Sequence, residues 1–314
     1  MANTNAAAQH RGVPLFAHLG NGNLLPLPEI QIIGGGAHAN WRTDVQDFMI
    51  IANGARTYEE SLEMTFAVYH ATGDLLQEQG RRCGIADEGG YWPEFATNEE
   101  AFEVIISAIE RAGLKPEKDV SLSLDIAASD LHDAVTGEYR FRLENRSFSS
   151  DEFANLMAGW TTRYPVISIE DPLADTDHEG WARLNTAIGK RVQLIGDDLF
   201  TTNPVRIQHG IDSQLANSVL IKLNQIGTVS ETLDAIRLTQ DAGWLPVVSA
   251  RSGETEDAFI AHLAVATNAG QLKVGSFACG ERTAKWNEVL RIARQLGDRA
   301  RFEGANILDR IRGT

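Results

Sequence analysis

The chain has 314 residues, of which 43% are hydrophobic, and its 28 basic and 43 acidic residues leave a formal net charge of −15. This length exceeds one average domain but lies within the range of a single barrel of alternating strands and helices. The negative charge opposes nonspecific binding to nucleic acid or to acidic membranes. A phosphorylated substrate would therefore need locally placed cations or a metal ion.

The composition makes a cytoplasmic, soluble protein the default expectation. The first residues lack a basic segment followed by an apolar core, and no apolar run approaches the length of a membrane helix. The two cysteines, Cys83 and Cys279, provide no disulfide framework and suit a reducing compartment. We expect both cysteines to be packing residues.

Residues 1–28 are predicted to be a lead-in, with an Ala-rich stretch and turn-rich glycines, and residues 29–314 to form one barrel domain. Two strand patterns follow at 29–33 and 45–51, separated only by a glycine loop that carries His38. Strands this close in sequence indicate an antiparallel pair, whereas a regular barrel has a helix between successive strands. We therefore expect the barrel to open irregularly.

Two helices with one apolar face are predicted next, over residues 57–79 and 98–112. The loop between them contains glycines, so it can bring Asp87 and Glu88 close to a ligand without steric obstruction. The two strands and two helices together give the barrel a ββαα start.

The remaining chain alternates strand and helix patterns after a short excursion at residues 139–143. A helix is predicted to start near Ser149 or Ser150, and the clearest later helices cover residues 230–242 and 254–269. Alternation of this kind excludes a β-sandwich and predicts an α/β fold with a parallel sheet.

Six predicted strands end in a charged or polar residue: Asp125, Glu170, Asp197, Lys222, Ser249 and Lys273. In a parallel barrel the side chains at the carboxyl ends of the strands face one shared mouth. Each charge could instead be the first solvated residue after a buried strand, but that explanation fits one strand well and five poorly. Three carboxylates beside two lysines indicate metal chemistry on an anion.

Asp125, Glu170 and Asp197 form no local metal-binding motif and can meet only through the fold. Each is predicted to be the last residue of a strand, the position from which barrels draw catalytic groups. Oxygen ligands without neighbouring Cys or His pairs favour Mg²⁺ or a similar ion over zinc. The sequence therefore predicts a magnesium site at the mouth.

Lys222 has two possible roles at the end of its strand. Desolvation and neighbouring cations could lower its pKa towards the working range of a base, or it could pair with the carboxylates. Arg251 and Ser252 are predicted to lie just before a helix whose first turn offers free backbone N–H groups. A guanidinium, a hydroxyl and a helix terminus together suit a phosphate.

The motifs around these residues resemble those of the enolase family, phosphopyruvate hydratase, over residues 12–310. The motifs are His38, Gln46-Asp-Phe-Met49, Asp87-Glu-Gly-Gly90, Ser168-Ile-Glu-Asp-Pro172, Gly196-Asp-Asp198, Lys222-Leu-Asn-Gln-Ile-Gly227, Arg251-Ser-Gly-Glu-Thr-Glu-Asp257 and Gly270-Gln-Leu-Lys273. The resemblance implies an enolase-type (β/α)8 TIM barrel with the irregular start expected above. It also implies Mg²⁺-dependent conversion of 2-phosphoglycerate to phosphoenolpyruvate in glycolysis.

The resemblance also implies roles for individual residues. Asp125, Glu170 and Asp197 would hold the Mg²⁺ that grips the substrate carboxylate, and Lys222 would take the C2 proton. Glu88, assisted by Asp47, would protonate the departing C3 hydroxyl. The remaining roles are phosphate contacts for Arg251 and Ser252, a carboxylate contact for Lys273, and a position in a closing loop for His38.

The sequence departs from the family pattern in several places. Enolases carry an N-terminal domain before the point where this chain begins, and it covers the mouth, supplies a ligand for a second Mg²⁺ and takes part in dimer contacts. The resemblance thus leaves lid closure and a homo-oligomer as open expectations for this chain. Ala250 stands where the family has a catalytic-site histidine, and Asp47 replaces a glutamate. Gly280 stands where the family has an arginine or serine context before Glu281-Arg282.

Three functional hypotheses follow from this pattern. The first is an enolase-type lyase acting on 2-phosphoglycerate. The second is a specialised relative that applies the same chemistry to another phospho- or phosphono-carboxylate, such as carboxyphosphonoenolpyruvate formation in phosphonate biosynthesis, with Ala250 making room for a larger group. The third is a truncated barrel with a binding or structural role and no turnover.

Overall fold

In the computed structural model, which describes residues 1–312, eight strands close into a barrel. The strands in chain order are β1 Leu27–Gly34, β2 Asp47–Ile51, β3 Ser121–Asp125, β4 His132–Asp133, β5 Glu138–Phe141, β6 Arg146–Phe148, β7 Val166–Glu170, β8 Gln193–Gly196, β9 Ser218–Ile221, β10 Leu245–Ser249 and β11 Gln271–Gly275. The barrel order is β1-β11-β10-β9-β8-β7-β3-β2, and β4, β5 and β6 form a separate small sheet. This small sheet is the excursion predicted around residues 139–143.

The helices surround the barrel and cover its outer face. They are α1 Ala2–Arg11, α2 Leu15–Leu19, α3 Tyr58–Glu78, α4 Glu99–Arg111, α5 Ser150–Arg163, α6 His178–Ile188, α7 Pro204–Asp212, α8 Leu223–Ile226, α9 Val229–Asp241, α10 Phe259–Ala266, α11 Gly280–Leu296 and α12 Asp309–Arg312. Within the described chain, none of them combines the length and apolar character that a membrane crossing requires.

The irregular opening of the barrel is confirmed. Strand β2 pairs antiparallel with both β1 and β3, whereas the other barrel pairs are parallel. The connection between β1 and β2 holds only a short 3₁₀ turn, Gly36–Ala39, which is too short for a helical crossover. Helices α3 and α4 then follow β2, and α3 begins after Thr57, whose side chain accepts the N–H of Glu60 at 3.0 Å.

The interior of the barrel changes from apolar to polar towards its mouth. Its base is closed by an apolar cluster of Leu24, Leu27, Ile51, Leu245, Ile307 and Leu308. Above that cluster lie buried polar side chains: Gln193 donates to Gln271 Oε1 at 2.6 Å and to Ser218 Oγ at 3.0 Å. Because side chains alternate along a strand, this inward face continues to the charged residues at the carboxyl ends.

Three local expectations differ from the structure. Residues 2–19, for which no helix is predicted, form α1 and α2, and Phe16 stacks on the His262 ring of α10 at 6.3 Å. Cys83 is exposed and is not a packing residue, while Cys279 is partly buried. Helix α10 begins at Phe259, later than the predicted residue 254.

The late start of α10 has a physical cause in the segment before it. Glu254 Oε1 accepts the N–H of Arg251 at 3.0 Å, and Asp257 Oδ1 accepts the N–H of Phe259 at 2.8 Å. Lys285 Nζ binds the carbonyl of Thr255 at 2.7 Å. Side chains therefore satisfy the backbone groups that a helix would otherwise pair.

Candidate active site

The predicted site residues lie together at the carboxyl ends of the barrel strands. Eight of them line one cavity of about 160 Å³: His38, Glu88, Asp125, Asp197, Lys222, Arg251, Ser252 and Lys273. Asp47 and Glu170 lie next to this cavity, where both carboxylates approach Lys273. The fold thus brings together groups that are far apart in the sequence.

The strand ends position these side chains, although not always at the predicted place. Asp125 and Glu170 are the last residues of β3 and β7. Asp197 and Lys222 come directly after β8 and β9 and are not within them. Lys273 lies in the middle of β11, so the prediction that it ends a strand is wrong. It reaches the mouth because a lysine side chain is long.

Lys273 is the central cation of the site and is 4% exposed. Its Nζ lies 2.8 Å from Asp125 Oδ2, 2.8 Å from Glu170 Oε2 and 3.7 Å from Asp47 Oδ2. Burial alone would lower the pKa of Lys273, but these carboxylates raise it well above its usual range. Lys273 therefore keeps its positive charge.

The pKa values of the acidic groups around Lys273 shift in different directions. Burial tends to raise the pKa of Asp125, but Lys273 lowers it overall, so Asp125 is a carboxylate. Burial and the charge of Asp125 raise the pKa of Glu170 well above its usual range. Burial and the charge of Glu88 do the same to the pKa of Asp47.

Lys222 pairs with Asp197 through a hydrogen bond from Nζ to Oδ2. Gln225 Nε2 donates to the other oxygen of Asp197 at 2.9 Å. Burial lowers the pKa of Lys222, but Asp197 and Glu170 outweigh burial and raise it. Of the two roles left open for Lys222, this arrangement is the ion pair, since the nearest charges are carboxylates.

Glu88 lies in the loop between α3 and α4 and is 8% exposed. The backbone of this loop is fixed from several sides: Ser276 N donates to the Glu88 carbonyl at 2.8 Å, and the Tyr69 hydroxyl donates to the Gly89 carbonyl at 3.1 Å. The loop lies beside β1, because Tyr91 forms a bridge with Ile33 of that strand. Lys222 follows β9, and strands β11 and β10 lie between β1 and β9 in the barrel. A base and an acid could therefore approach a ligand from different directions.

Arg251 and Ser252 lie in the loop after β10, where a buried arginine holds their backbone. Arg282 donates from Nη1 to the Arg251 carbonyl at 2.7 Å and from Nη2 to the Ser252 carbonyl at 2.6 Å. The predicted helix terminus beside them is absent because α10 starts at Phe259. The guanidinium of Arg251 and the hydroxyl of Ser252 remain as the groups that could bind an anion.

Oxygen ligands for a metal ion are present in two overlapping sets. One set is the predicted one of Asp125, Glu170 and Asp197. In it, Glu170 Oε1 is buried and has no hydrogen-bond partner among the described residues, which suits a cation ligand. One carboxylate oxygen from each of Asp171, Asp197 and Asp198 lies within 4.8 Å of the other two. Burial and Asp197 raise the pKa of Asp198 to about 6.

Both carboxylate oxygens of Asp171 accept hydrogen bonds from backbone N–H groups. Its Oδ1 accepts the N–H of Asp197 at 2.9 Å, and its Oδ2 accepts the N–H of Asp198 at 2.8 Å. These bonds fix the turn that presents Asp197, and they use one lone pair of each Asp171 oxygen. The chemistry of the donors therefore fits a hard divalent cation, with the predicted set having the freer oxygen.

The structure adds residues to which sequence reasoning gave no role. Gln46 Nε2 donates to Asp125 Oδ2 at 3.0 Å, and Gln31 contacts Asp47. Gln46 and Gln225 lie inside the motifs that carry the family resemblance, so their place in the sequence was a usable signal. Gln31 and Arg282 lie outside those motifs. Gln31 binds the Asp47 side chain and the Gly90 backbone, and Arg282 binds backbone carbonyls of distant loops.

A closed eight-stranded barrel with carboxylates and lysines at its mouth defines the class of α/β barrels that bind ligands at the carboxyl ends of their strands. Residues 22–311 match the family model for the enolase C-terminal TIM barrel domain. The protein named "Enolase 1" from Desulfitobacterium hafniense (strain Y51) is 50% identical over 310 residues, which cover 98% of this chain and 71% of that protein. The chain belongs to the enolase family, and the predicted family and fold are confirmed.

Proposed function

We propose that this chain is an enolase-type hydro-lyase that uses Mg²⁺ to dehydrate 2-phosphoglycerate to phosphoenolpyruvate. The observation that carries the proposal is the shared cavity of Lys222, Glu88 and the acidic groups Asp125 and Asp197. Family membership and a relative named enolase at 50% identity support it. A carbon acid of low acidity needs both a positioned base and strong electrostatic stabilisation, and this cavity holds candidates for both.

Asp125, Glu170 and Asp197 would hold Mg²⁺, which when bound would supply positive charge to stabilise the negative charge developing on the substrate carboxylate. Lys222 would accept the proton from C2. This role requires Lys222 to be neutral when substrate is bound, so its pairing with Asp197 must weaken at that stage.

Glu88 would donate a proton to the departing C3 hydroxyl, with Asp47 as its acidic neighbour. The charge of Glu88 contributes to the raised pKa of Asp47, which supports an electrostatic interaction between the two acidic groups. Arg251, Ser252 and His38 line the same cavity and would bind the phosphate and close over it. Lys273 would contact the substrate carboxylate.

The decisive experiment follows phosphoenolpyruvate formation by its ultraviolet absorbance, with and without Mg²⁺. Lys222→Ala is expected to lower kcat by a factor of about 100 or more, because a general base contributes that much. The matched control is Lys190→Ala, at an exposed lysine outside the site. The proposal fails if the wild-type protein turns over 2-phosphoglycerate no faster than Lys222→Ala. Failure together with no stabilisation by Mg²⁺ would favour a binding or structural role.

A second candidate function is favoured by the space at Ala250. This residue is 7% exposed and lines the cavity beside Arg251 and Ser252. Its methyl side chain leaves room for a larger substituent, so the same chemistry could act on another phospho- or phosphono-carboxylate, as in carboxyphosphonoenolpyruvate formation.

Ala250→His separates the two candidates. A gain in dehydration of 2-phosphoglycerate would support the first, and no gain, together with turnover of a phosphono-carboxylate by the wild-type protein, would support the second. Ala258→His, in the loop before α10, controls for an added imidazole outside the cavity.

The cellular setting is part of the proposal. We propose a glycolytic role in the cytoplasm, a small phosphorylated carboxylate as partner, and neither nucleic acid nor membrane as partner. The net charge of −15 supports this, since it repels both polyanions. A homo-oligomer is also proposed, and light scattering of the purified protein would test it.

A further inference from the structure

We infer that Gln31 is a positioning residue that links Asp47 to the loop carrying Glu88, and so aligns the acid side of the reaction. This inference rests on the proposed function for its catalytic consequence. It concerns a side chain that lines neither the cavity nor the predicted metal set. Gln31 acts through Asp47 and the backbone of the loop.

The amide of Gln31 uses both of its ends. Gln31 lies on β1 with no exposed surface. Its Nε2 donates a hydrogen bond to Asp47 Oδ1, and its Oε1 accepts the N–H of Gly90 at 2.7 Å. An amide side chain can donate to a carboxylate through its nitrogen while its oxygen accepts from a backbone N–H.

Asp47 depends on this amide for its orientation. Its side chain has no exposed surface, and its Oδ2 has no hydrogen-bond partner within residues 1–312. The nearest cation to Oδ2 is Lys273 Nζ at 3.7 Å, beyond hydrogen-bonding distance. Nε2 of Gln31 is therefore the one hydrogen-bond donor to this carboxylate in the described chain, and losing it would leave a buried acid free to rotate.

The loop carrying Glu88 depends on the same amide. Gly90 N is held by Gln31, and Gly90 O accepts the N–H of Ala86 at 2.7 Å, which closes the loop on itself. A Cβ atom at Gly90 would lie 2.7 Å from Gln31 Oε1, so the glycine permits this close approach. Gln31 thus fixes the backbone two residues after Glu88.

The two contacts of Gln31 lie on the acid side of the site. Among the described residues, Gln31 has hydrogen bonds to Asp47 and Gly90, whereas the proposed base Lys222 follows β9 and pairs with Asp197. Losing the amide should therefore slow proton donation to the leaving hydroxyl more than proton removal from C2. These two events can be measured separately, since removal of the C2 proton allows its exchange with solvent deuterium.

The test compares Gln31→Met with Gln193→Met. Methionine keeps the length of the side chain and removes both hydrogen bonds. Gln193 is an equally buried glutamine of the barrel interior whose partners are Gln271 and Ser218, so it controls for the loss of a buried amide. Dehydration, C2–deuterium exchange into 2-phosphoglycerate and KM are measured for all three proteins.

The expected result for Gln31→Met is a fall of about tenfold or more in kcat, with C2 exchange and KM changed by less than about threefold. Gln193→Met should keep the wild-type ratio of exchange to dehydration even if its Tm falls. Equal loss of exchange and dehydration in Gln31→Met would overturn the inference, because a merely structural role affects both.

A second measurement keeps the inference testable if the substrate is different or the methionine variant folds poorly. Hydrogen–deuterium exchange of the Gly90 amide should be faster in Gln31→Met and in Gln31→Leu, which both remove the acceptor of that N–H, and unchanged in Gln193→Met. Unchanged protection of Gly90 in both Gln31 variants would overturn the link to the loop. If the wild-type protein neither dehydrates 2-phosphoglycerate nor exchanges its C2 proton, the proposed function fails, while the Gly90 result still decides the role of Gln31.

Discussion

Lys273 Nζ lies 2.8 Å from Asp125 Oδ2 and 2.8 Å from Glu170 Oε2, and all three side chains are at most 5% exposed. The lysine therefore separates two carboxylates that would otherwise repel one another in a medium of low dielectric constant. In the proposed reaction the same lysine would contact the substrate. It has a structural role in the chain as well as a proposed catalytic one.

Lys273→Met is predicted to lower the free energy of unfolding by about 3–5 kcal/mol in the absence of divalent cations, since it leaves buried carboxylates without their cation. Urea denaturation measures this, with chelator present. Lys190→Met, at an exposed lysine, should change stability by less than about 0.5 kcal/mol. Equal effects of the two substitutions would show that the carboxylates do not need Lys273.

Magnesium is predicted to stabilise the folded chain through Glu170. Binding to the folded state alone adds about 2.7 kcal/mol when the ion is present at about 100 times its Kd. Glu170→Gln should abolish the rise in Tm on Mg²⁺ titration, whereas Asp198→Asn should retain it, because Glu170 Oε1 is a buried oxygen of the predicted set without a hydrogen-bond partner among the described residues. The reverse result would assign the ion to the Asp171, Asp197 and Asp198 set.

The sequence could predict the barrel and the charges at its mouth because both follow from short-range patterns. The strand ends at Asp125 and Glu170 are visible as short runs of aliphatic residues and serine followed by an acid. The antiparallel start is visible because the connection between β1 and β2 is too short for a helix. These features require no knowledge of distant contacts.

Other features depend on tertiary contacts and could not be predicted. Helix α10 starts at Phe259 because Glu254 and Lys285 hold the preceding segment, and Lys285 comes from a different helix. The raised pKa of Lys222 depends on how deeply the side chain is buried and on which charge lies nearest to it. Neither can be read from the sequence. Gln31 contacts a loop far along the chain, so no local pattern marks it.

Arg282 is predicted to align the two loops on either side of the mouth. It has no exposed surface, and its guanidinium donates to the carbonyls of Arg251 at 2.7 Å, Ser252 at 2.6 Å and Asp87 at 3.4 Å. Arg282→Lys should raise KM by about tenfold and lower stability by about 2 kcal/mol, because an ammonium cannot replace the planar fork of donors.

Steady-state kinetics and urea denaturation check this prediction for Arg282. Arg294→Lys, an exposed residue of the same helix, is the matched control and should behave as the wild-type protein. A wild-type KM in Arg282→Lys would mean that the two loops keep their alignment without the guanidinium.

Acidification is predicted to weaken the packing of α2 on α10 through His262. Its Nε2 lies 3.2 Å from Glu288 Oε1, while Glu288 Oε2 pairs with Arg291. The Nδ1 of His262 is buried with no partner among the described residues. Burial lowers the pKa of His262, and this effect is larger than the rise caused by the charges of Glu288 and Asp257. The unfolded chain therefore binds the proton more readily, and stability present above the unfolded pKa of about 6.5 is lost as the pH falls below it.

The measurement for His262 is the fall in Tm between about pH 7.5 and about pH 5.5, a window that spans the unfolded pKa. His262→Gln should show a smaller fall than the wild-type protein, because glutamine carries no proton that the folded state excludes. His10→Gln, at an exposed histidine of α1, should show the wild-type fall. An equal or larger fall in His262→Gln would mean that the folded chain accommodates the charged imidazole beside Glu288, and that acid acts elsewhere in the fold.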